Sequence, residues 1–304
     1  GSEMCIRDSK YSVDLLAAIN GSPTQGFGYT TLMTNNGKMV NRGVEITLSG
    51  EIIRQKDFSW NASLLYAFNR NKVKHISVQP SLWDSRISMP TSYPMVGKPL
   101  YGIYAYKWAG LNENGDPQVY DAENNVTSGP ARDYHALVYC GTTVPIHNAS
   151  LTNVLRYKGF EFSAMLILDA GHKLRSSNIP SINMSNGRIT STAKGIVDRW
   201  TQPGDVTDVP RLLFSNDTEN FNTHRTELYR YSDLFVYDAS NIRLSNISLA
   251  YRVPAHWCKK ISLSGARLQF NVENVATFAF DSKANYDLGG KVKPNYVWGL
   301  YLNF

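Results

Sequence analysis

No stretch of this 304-residue chain is apolar for the ~18 residues that a membrane-spanning helix needs. Even the longest unbroken apolar runs, such as Ala164–Leu168, are short. That excludes a helical membrane protein but not a membrane β-barrel, whose strands are short and half polar. Charge is scarce, with charged residues at 18%, below the usual share. Cysteine is scarcer still: Cys5, Cys140 and Cys258 lie far apart and form no C-x-x-C, so neither a structural disulfide nor a metal site is expected. Neither G-x-S-x-G nor H-E-x-x-H occurs, and nothing in the residues points to an enzyme. Gly26-Phe27-Gly28 lacks the third glycine and the following helix of a dinucleotide site, and no cofactor is implied. His75, His135, His147, His172, His224 and His256 are scattered and read as solvated loop or lumen residues. No secretory signal opens the chain. Gly1–Ser9 shows no period and is set aside as a non-native leader, residues 10–304 being the folded part. The protein's own start is expected upstream.

What the chain has is aromatic residues and alternation. Hydrophobic residues make up 42%, too many for a disordered chain, and there are 18 Tyr, 12 Phe and 6 Trp. Abundant aromatics with Ser, Thr and Asn suit strands. The net charge of +6 and pI near 9.1 read as an ordinary surface excess. Without a Lys/Arg block, no nucleic-acid partner is expected.

The clearest strand is near the end. Ala266, Leu268, Phe270 and Val272 alternate with Arg267, Gln269, Asn271 and Glu273. Successive strand residues point to opposite faces, so this strand lies between two media, its apolar set toward lipid and its polar set inward. Tyr296, Trp298, Leu300, Leu302 and Phe304 continue in the same rhythm to the last residue. A large apolar terminal side chain is rare in a soluble protein, whereas in a membrane barrel the last strand pairs to close the wall. The same alternation marks Val44–Ile52, Phe58–Phe68 and Phe160–Leu168, and strands are also read at Tyr11–Ile19, Pro99–Leu111, Asp133–Cys140, Asn148–Tyr157 and Ala239–Val253. In the last of these the apolar phase slips between Leu244 and Ile247, which predicts a bulge. A short helix is expected within Ser191–Trp200.

About ten strands result, fewer than a closed barrel with loops of this size requires. The fold class is therefore all-β: part of a transmembrane antiparallel barrel with long extracellular loops. Connections are short at 54–57, 158–159 and 254–260, and long at 69–98, 171–233 and 276–294. Outer-membrane barrels keep short turns on the periplasmic side and long loops outside, which puts the C-terminus on the periplasmic side. The stretch 112–130 breaks the rule, being long where a short turn is due.

Seven stretches resemble, in family order, the C-terminal barrel half of SusC/RagA-type TonB-dependent outer-membrane transporters. They are NRGVEITL (41–48), FSWNASLLYAFNRNKV (58–73), GKPLYGIYAYKWAGLNENGDP (97–117), YKGFEFS (157–163), RWTQPGDVTDVPR (199–211), DASNIRLSNISLAYRVP (238–254) and the terminal GLYLNF. The resemblance implies a barrel of about 22 strands holding a plug, in the bacterial outer membrane. It also implies uptake of glycans or peptides, driven by the TonB–ExbB–ExbD complex, beneath a SusD-like surface lipoprotein. The plug, the TonB-contacting segment and the first strands of such a barrel have no counterpart here. The resemblance further makes Tyr296, Trp298, Leu300, Leu302 and Phe304 the signal that the barrel-insertion machinery reads.

Trp83, Asp84 and Tyr93 are the candidate ligand contacts, because aromatic faces beside polar groups suit sugar rings; packing between loops is the alternative. Asn112–Asp116 has a passing likeness to a calcium loop but lacks its spacing and final Glu, and reads as a polar turn. The 199–211 stretch reads as loop architecture, with Pro203-Gly204 fixing a turn and Arg and Asp available to pair. Glu45, Glu161, Arg267 and Glu273 are expected to face water inside the barrel. Two rival readings stay open: a soluble carbohydrate-binding β-sandwich, whose oily faces would meet each other, and a non-transporting outer-membrane porin or adhesin.

Overall fold

The computed structural model describes residues 2–20, 31–77, 85–129, 133–184, 193–214, 223–289 and 293–304. Eight strands form one sheet: β1 (Ser2–Asn20), β2 (Thr31–Arg54), β3 (Phe58–Ile76), β4 (His147–Tyr157), β5 (Phe160–Ala170), β6 (Asn241–Arg252), β7 (Gly265–Ala279) and β8 (Asn295–Asn303). Each pairs antiparallel with its neighbour in the chain, so the sheet runs up and down in sequence order. No helix among the described residues is long and apolar enough to cross a membrane.

Residues directly opposite in an antiparallel ladder share a face, so the pairing register shows whether the oily sets line up. They do. Trp60, Leu155, Phe162, Leu249, Phe270 and Trp298 form one cross-strand row over six strands. Leu48, Leu64, Leu151, Leu166, Leu244 and Ala276 form another, which Met4 of β1 extends. Leu268 lies between Tyr251 and Leu300 and is 50% exposed. Among the described residues the remaining sheets are three pairs and one triplet of short strands, and Leu48, Leu64, Leu249 and Trp298 of this face are exposed as well. A sandwich would cover it, which removes the soluble β-sandwich as a reading. Asn153 is a polar intruder in the apolar field; the Trp60 indole Nε1 donates to its Oδ1 at 3.1 Å.

The slip in β6 is real. Register shifts at Leu244/Asn246 in its pairing with both β5 and β7, which returns Leu244 to the face of Ile247. Opposite it, Asn274 of β7 sits in the left-handed region at φ 52°, a conformation that Asn tolerates better than most residues.

Several boundaries differ from the sequence reading. Among the described residues the wall has eight strands rather than about ten, because Pro99–Leu111 and Asp133–Cys140 do not enter it. Gly102–Tyr106 pairs instead with Leu137–Thr142, away from β4, and Trp108–Leu111 pairs with Pro117–Tyr120. Both stretches contain strands, but the partners of those strands lie in the same connection. Residues 77–146 thus become one long link between β3 and β4, and 112–130 lies inside it. With that change every described connection obeys the alternation of short and long. β1 also begins at Ser2, not Tyr11: Ser2–Ser9 pairs with 43–50 although its side chains show no period, since a ladder needs only backbone groups. β2 starts at Thr31, ahead of the alternation read at Val44–Ile52, and β3 extends to Ile76.

An arginine in the middle of the apolar face tests this orientation. In the full-length protein Leu151→Arg, flanked by Leu64 and Leu166, is expected to destabilise by ~2–4 kcal/mol in a folding titration in lipid. The change Thr152→Arg on the opposite face is expected to be nearly neutral. Equal costs at the two positions would refute the assignment of faces.

Candidate functional site

Two surfaces have the chemistry to meet a solute: the polar face of the wall and the layer built by the long connections. The polar face carries rows such as Ser59, Arg156, Glu161, Ala250 and Gln269, and Ser63, Thr152, Met165, Asn246 and Glu273. Glu161 accepts from Arg156 Nε at 2.8 Å through Oε2, and from Arg267 Nη2 at 3.2 Å through Oε1. Arg243 Nη2 donates to Asp169 Oδ2 at 3.2 Å. Gln269 Nε2 donates to Ser248 Oγ and Asn271 Oδ1. Such a surface suits water or a polar occupant.

The long connections pack into a common unit, and most of the buried apolar side chains are here rather than in the sheet. Tyr104, Tyr106, Val119, Ala136 and Leu137, all from 77–146, enclose a core with Leu228 from 171–240. Ile182, Tyr229 and Phe235 form a second core, against which Trp108 packs. Leu228 and Tyr229 come from a helix, Thr223–Arg230, that the sequence reading did not anticipate. The expected short helix within Ser191–Trp200 is a single 3₁₀ segment, Lys194–Asp198.

Polar ties fix the two connections together. Asp116 accepts two bonds from Arg211, at 3.1 and 2.8 Å, and one from Arg225 Nε at 3.1 Å. Arg225, only 2% exposed, also donates to Ile182 O, Asn183 Oδ1 and Arg211 O. Burial pulls its pKa down, while Asp116 supports the charged form. Arg175 donates to the carbonyls of Tyr104, Ser232 and Arg230. Gly115 at φ 75° lies beneath the Trp200 ring, where any Cβ would come within 2.4 Å of it. The third long connection joins through Asp287, which accepts from Ser176 Oγ, Ser177 N and Ser177 Oγ at 2.7, 2.9 and 2.6 Å.

This geometry assigns roles to the segments singled out by sequence. In Asn112–Asp116 the Asn112 Oδ1 caps Asn114 N and Asp116 N, and the Asp116 carboxylate is engaged by two arginines: a polar turn. In 199–211 the Asp205 carboxylate accepts from Thr201 N, Thr201 Oγ1 and Gln202 N, and these bonds hold its pKa below the usual range. Arg199 does not pair with it; the ion pair is made by Arg211 with Asp116. Trp83 and Asp84 lie outside the described residues. Tyr93 is half-buried in the turn after helix Ser85–Ser88, its N–H bonded to Met89 O. Elsewhere in the loop layer is a cleft of about 410 Å³, lined by Arg175, Ser177, Pro180, Thr226, Arg230 and Tyr231. The Arg175 and Arg230 guanidinium carbons lie 5.5 and 5.8 Å from the Tyr231 ring centroid. At the other end of the chain, Tyr296, Trp298, Leu300 and Leu302 stand on the apolar face and Phe304 is 93% exposed. Asp116, Arg211 and Arg225 were not found from sequence, because the partners lie about a hundred residues apart and follow no motif.

No family model matches the chain. It is 24% identical over 294 residues to TonB-dependent receptor P3 of Formosa agariphila, covering 90% of this chain and 28% of that protein. It is 22% identical over 263 residues to TonB-dependent receptor SusC of Bacteroides thetaiotaomicron, covering 82% of this chain and 24% of that protein. Among solved structures, a chain of the RagAB peptide transporter superposes with a TM-score of 0.71 at 20% identity, covering 99% of this chain and 33% of that one. The chain thus spans about a quarter to a third of the proteins it matches. The resemblance carried by the seven sequence stretches extends to the fold: an antiparallel wall section of an outer-membrane β-barrel.

Removing the carboxylate of Asp116 would strand a buried arginine. In the full-length protein, Asp116→Ala is expected to cost the loop unit ~3 kcal/mol. It should appear as faster hydrogen exchange at Trp108, Leu213 and Tyr231, with the amides of β4 and β5 unchanged. Exchange no faster than in wild type would show that the tie is dispensable.

Proposed function

We propose that this chain, similar along nearly all its length to TonB-dependent receptors of the SusC kind, forms part of the wall and outer face of an outer-membrane importer of glycans or peptides. One observation carries the reading: an apolar face continuous across eight strands stands opposite a polar face, with every described long connection packed at the same end. The apolar face meets lipid and the polar face lines the lumen. The packed loops are the surface that meets the substrate and a SusD-like lipoprotein lid.

No bond of the substrate is broken in this scheme. The loops and lumen bind it, a plug occludes the passage, and the TonB–ExbB–ExbD complex supplies the work that moves the plug. The hydrogen-bonded polar face suits a hydrated plug. Tyr93, with Trp83 and Asp84, is proposed to contact substrate. The cleft beside Tyr231 and Arg230 is a further place for contact, where a ring face suits a sugar and a guanidinium suits a peptide carboxylate. Either substrate class is compatible with these groups.

The test uses the full-length gene in a strain lacking the transporter, with wild type compared with versions shortened within 85–129 or 193–214. Uptake of labelled oligosaccharide or peptide is expected to fall several-fold in the shortened versions while surface levels hold. Protonophore treatment is expected to stop wild-type uptake. Uptake that survives the protonophore would favour the porin reading, and undiminished uptake in both shortened versions would remove the role given to the loops.

The end of β8 is proposed to guide assembly. Deleting Phe304 is expected to lower the outer-membrane level several-fold, whereas Leu302→Val, which keeps an apolar side chain, should leave it near normal. Immunoblots of outer-membrane fractions measure both. Normal levels of the deletion would leave the terminal aromatics a packing role only.

A further inference from the structure

We propose that the short-turn rim of the wall is a binding surface for anionic phospholipid headgroups of the periplasmic leaflet. The inference rests on the transmembrane placement above and adds a lipid class to it.

The rim is marked on the lipid face by a row of rings. Phe58, Tyr157, Phe160 and Tyr251 are cross-strand partners on four successive strands, and the last two rings lie 4.5 Å apart. Further along β3, Phe68 is paired with His147. Phe58 and Phe68 are ten residues apart on that strand. At ~3.3 Å per residue and a tilt of ~40°, this is about 25 Å, the height of a barrel's apolar band. The aromatic row therefore marks headgroup level.

Just beyond it lie three short turns from different parts of the sequence. They carry Arg54 and Lys56, then Lys158, then Lys259 and Lys260, all exposed. Against these five cations the turns hold one carboxylate, Asp57, and Glu51 of β2 lies 3.4 Å from Arg54. Among the described residues the four lysines make no ion pair; the Lys158 ammonium sits 5.3 Å from the Tyr157 ring centroid. By contrast, the long connections 77–146 and 171–240 carry acids and bases in nearly equal number.

The third turn also supplies an apolar wedge. Cys258 and Leu263 are buried and pin the helical turn Ala255–Lys259 to the sheet. This leaves Trp257 56% and Ile261 68% exposed beside Lys259 and Lys260. Indole and alkyl groups that enter the interface next to ammonium groups suit a phosphate-bearing surface. A neutral headgroup layer would take the aromatics but leave the clustered cations uncompensated.

The experiment uses the full-length protein in nanodiscs made from equal parts phosphatidylcholine and phosphatidylglycerol, with the lipids retained after mild delipidation counted by mass spectrometry. At low ionic strength phosphatidylglycerol is expected to be enriched about three-fold or more, falling toward parity in high salt as the charges are screened. A variant with Lys56, Lys158, Lys259 and Lys260 all changed to Gln is expected to lose the enrichment while keeping its melting temperature in pure phosphatidylcholine. Brominated phosphatidylglycerol is expected to quench Trp257, read as the part of the quenching lost in Trp257→Phe. Insertion with no lipid preference would overturn the proposal alone, as would enrichment that survives in the quadruple variant. Failure to insert into any bilayer would overturn the transmembrane reading with it.

Discussion

In hydrocarbon there is no water to receive an unpaired N–H or C=O, and each such group costs several kcal/mol. The wall is arranged around that constraint. Each inner strand of the eight pairs on both sides, and neighbours in sequence are neighbours in space, so no connection has to cross the sheet. Pairing then dictates everything else: opposite residues share a face, and each strand must place its oily set in step with the next. The β6 bulge keeps that step. Without the shift at Leu244/Asn246, one half of β6 would present Asn246 or Arg243 to lipid.

The parts of the fold legible in the sequence are those that this constraint writes into it. β7 alternates strictly over Ala266–Glu273 and β8 keeps an apolar residue at every second position because one face meets lipid, and the phase slip between Leu244 and Ile247 was visible for the same reason. Pro99–Leu111 and Asp133–Cys140 misled because strand-forming residues do not say which sheet they join, and Gly102–Tyr106 is buried on both faces. Tyr104 and Tyr106 turn inward to a core inside the loop layer, and that looks the same in sequence as facing lipid. The start of β1 is the opposite case. Ser2–Ser9 pairs through its backbone and needs no pattern to do so.

The loop layer was the least legible part and is the best packed. Its order depends on contacts between distant segments: Leu228 against Tyr104, Arg225 on Asp116, Trp200 over Gly115. Isolated residues of this kind have no periodicity to read. Gly115 could have hinted at its role, since Asn-Gly is turn chemistry, but the turn does not reveal that a tryptophan covers it. The helix Thr223–Arg230 carries only two adjacent buried apolar residues and a buried arginine, too few for a helical stripe.

The ties between the long connections also have a mechanical meaning. The Asp116 pairs join the link above β3 and β4 to the link above β5 and β6, and Asp287 joins the latter to the link above β7 and β8. Three consecutive hairpins are thus braced across their open ends, as a lintel holds uprights at fixed spacing. Splaying one hairpin from the next would shear charged bonds and two small cores at once. The outer mouth formed by these strands therefore resists widening strand by strand, and any movement there is expected to carry the braced hairpins as a block.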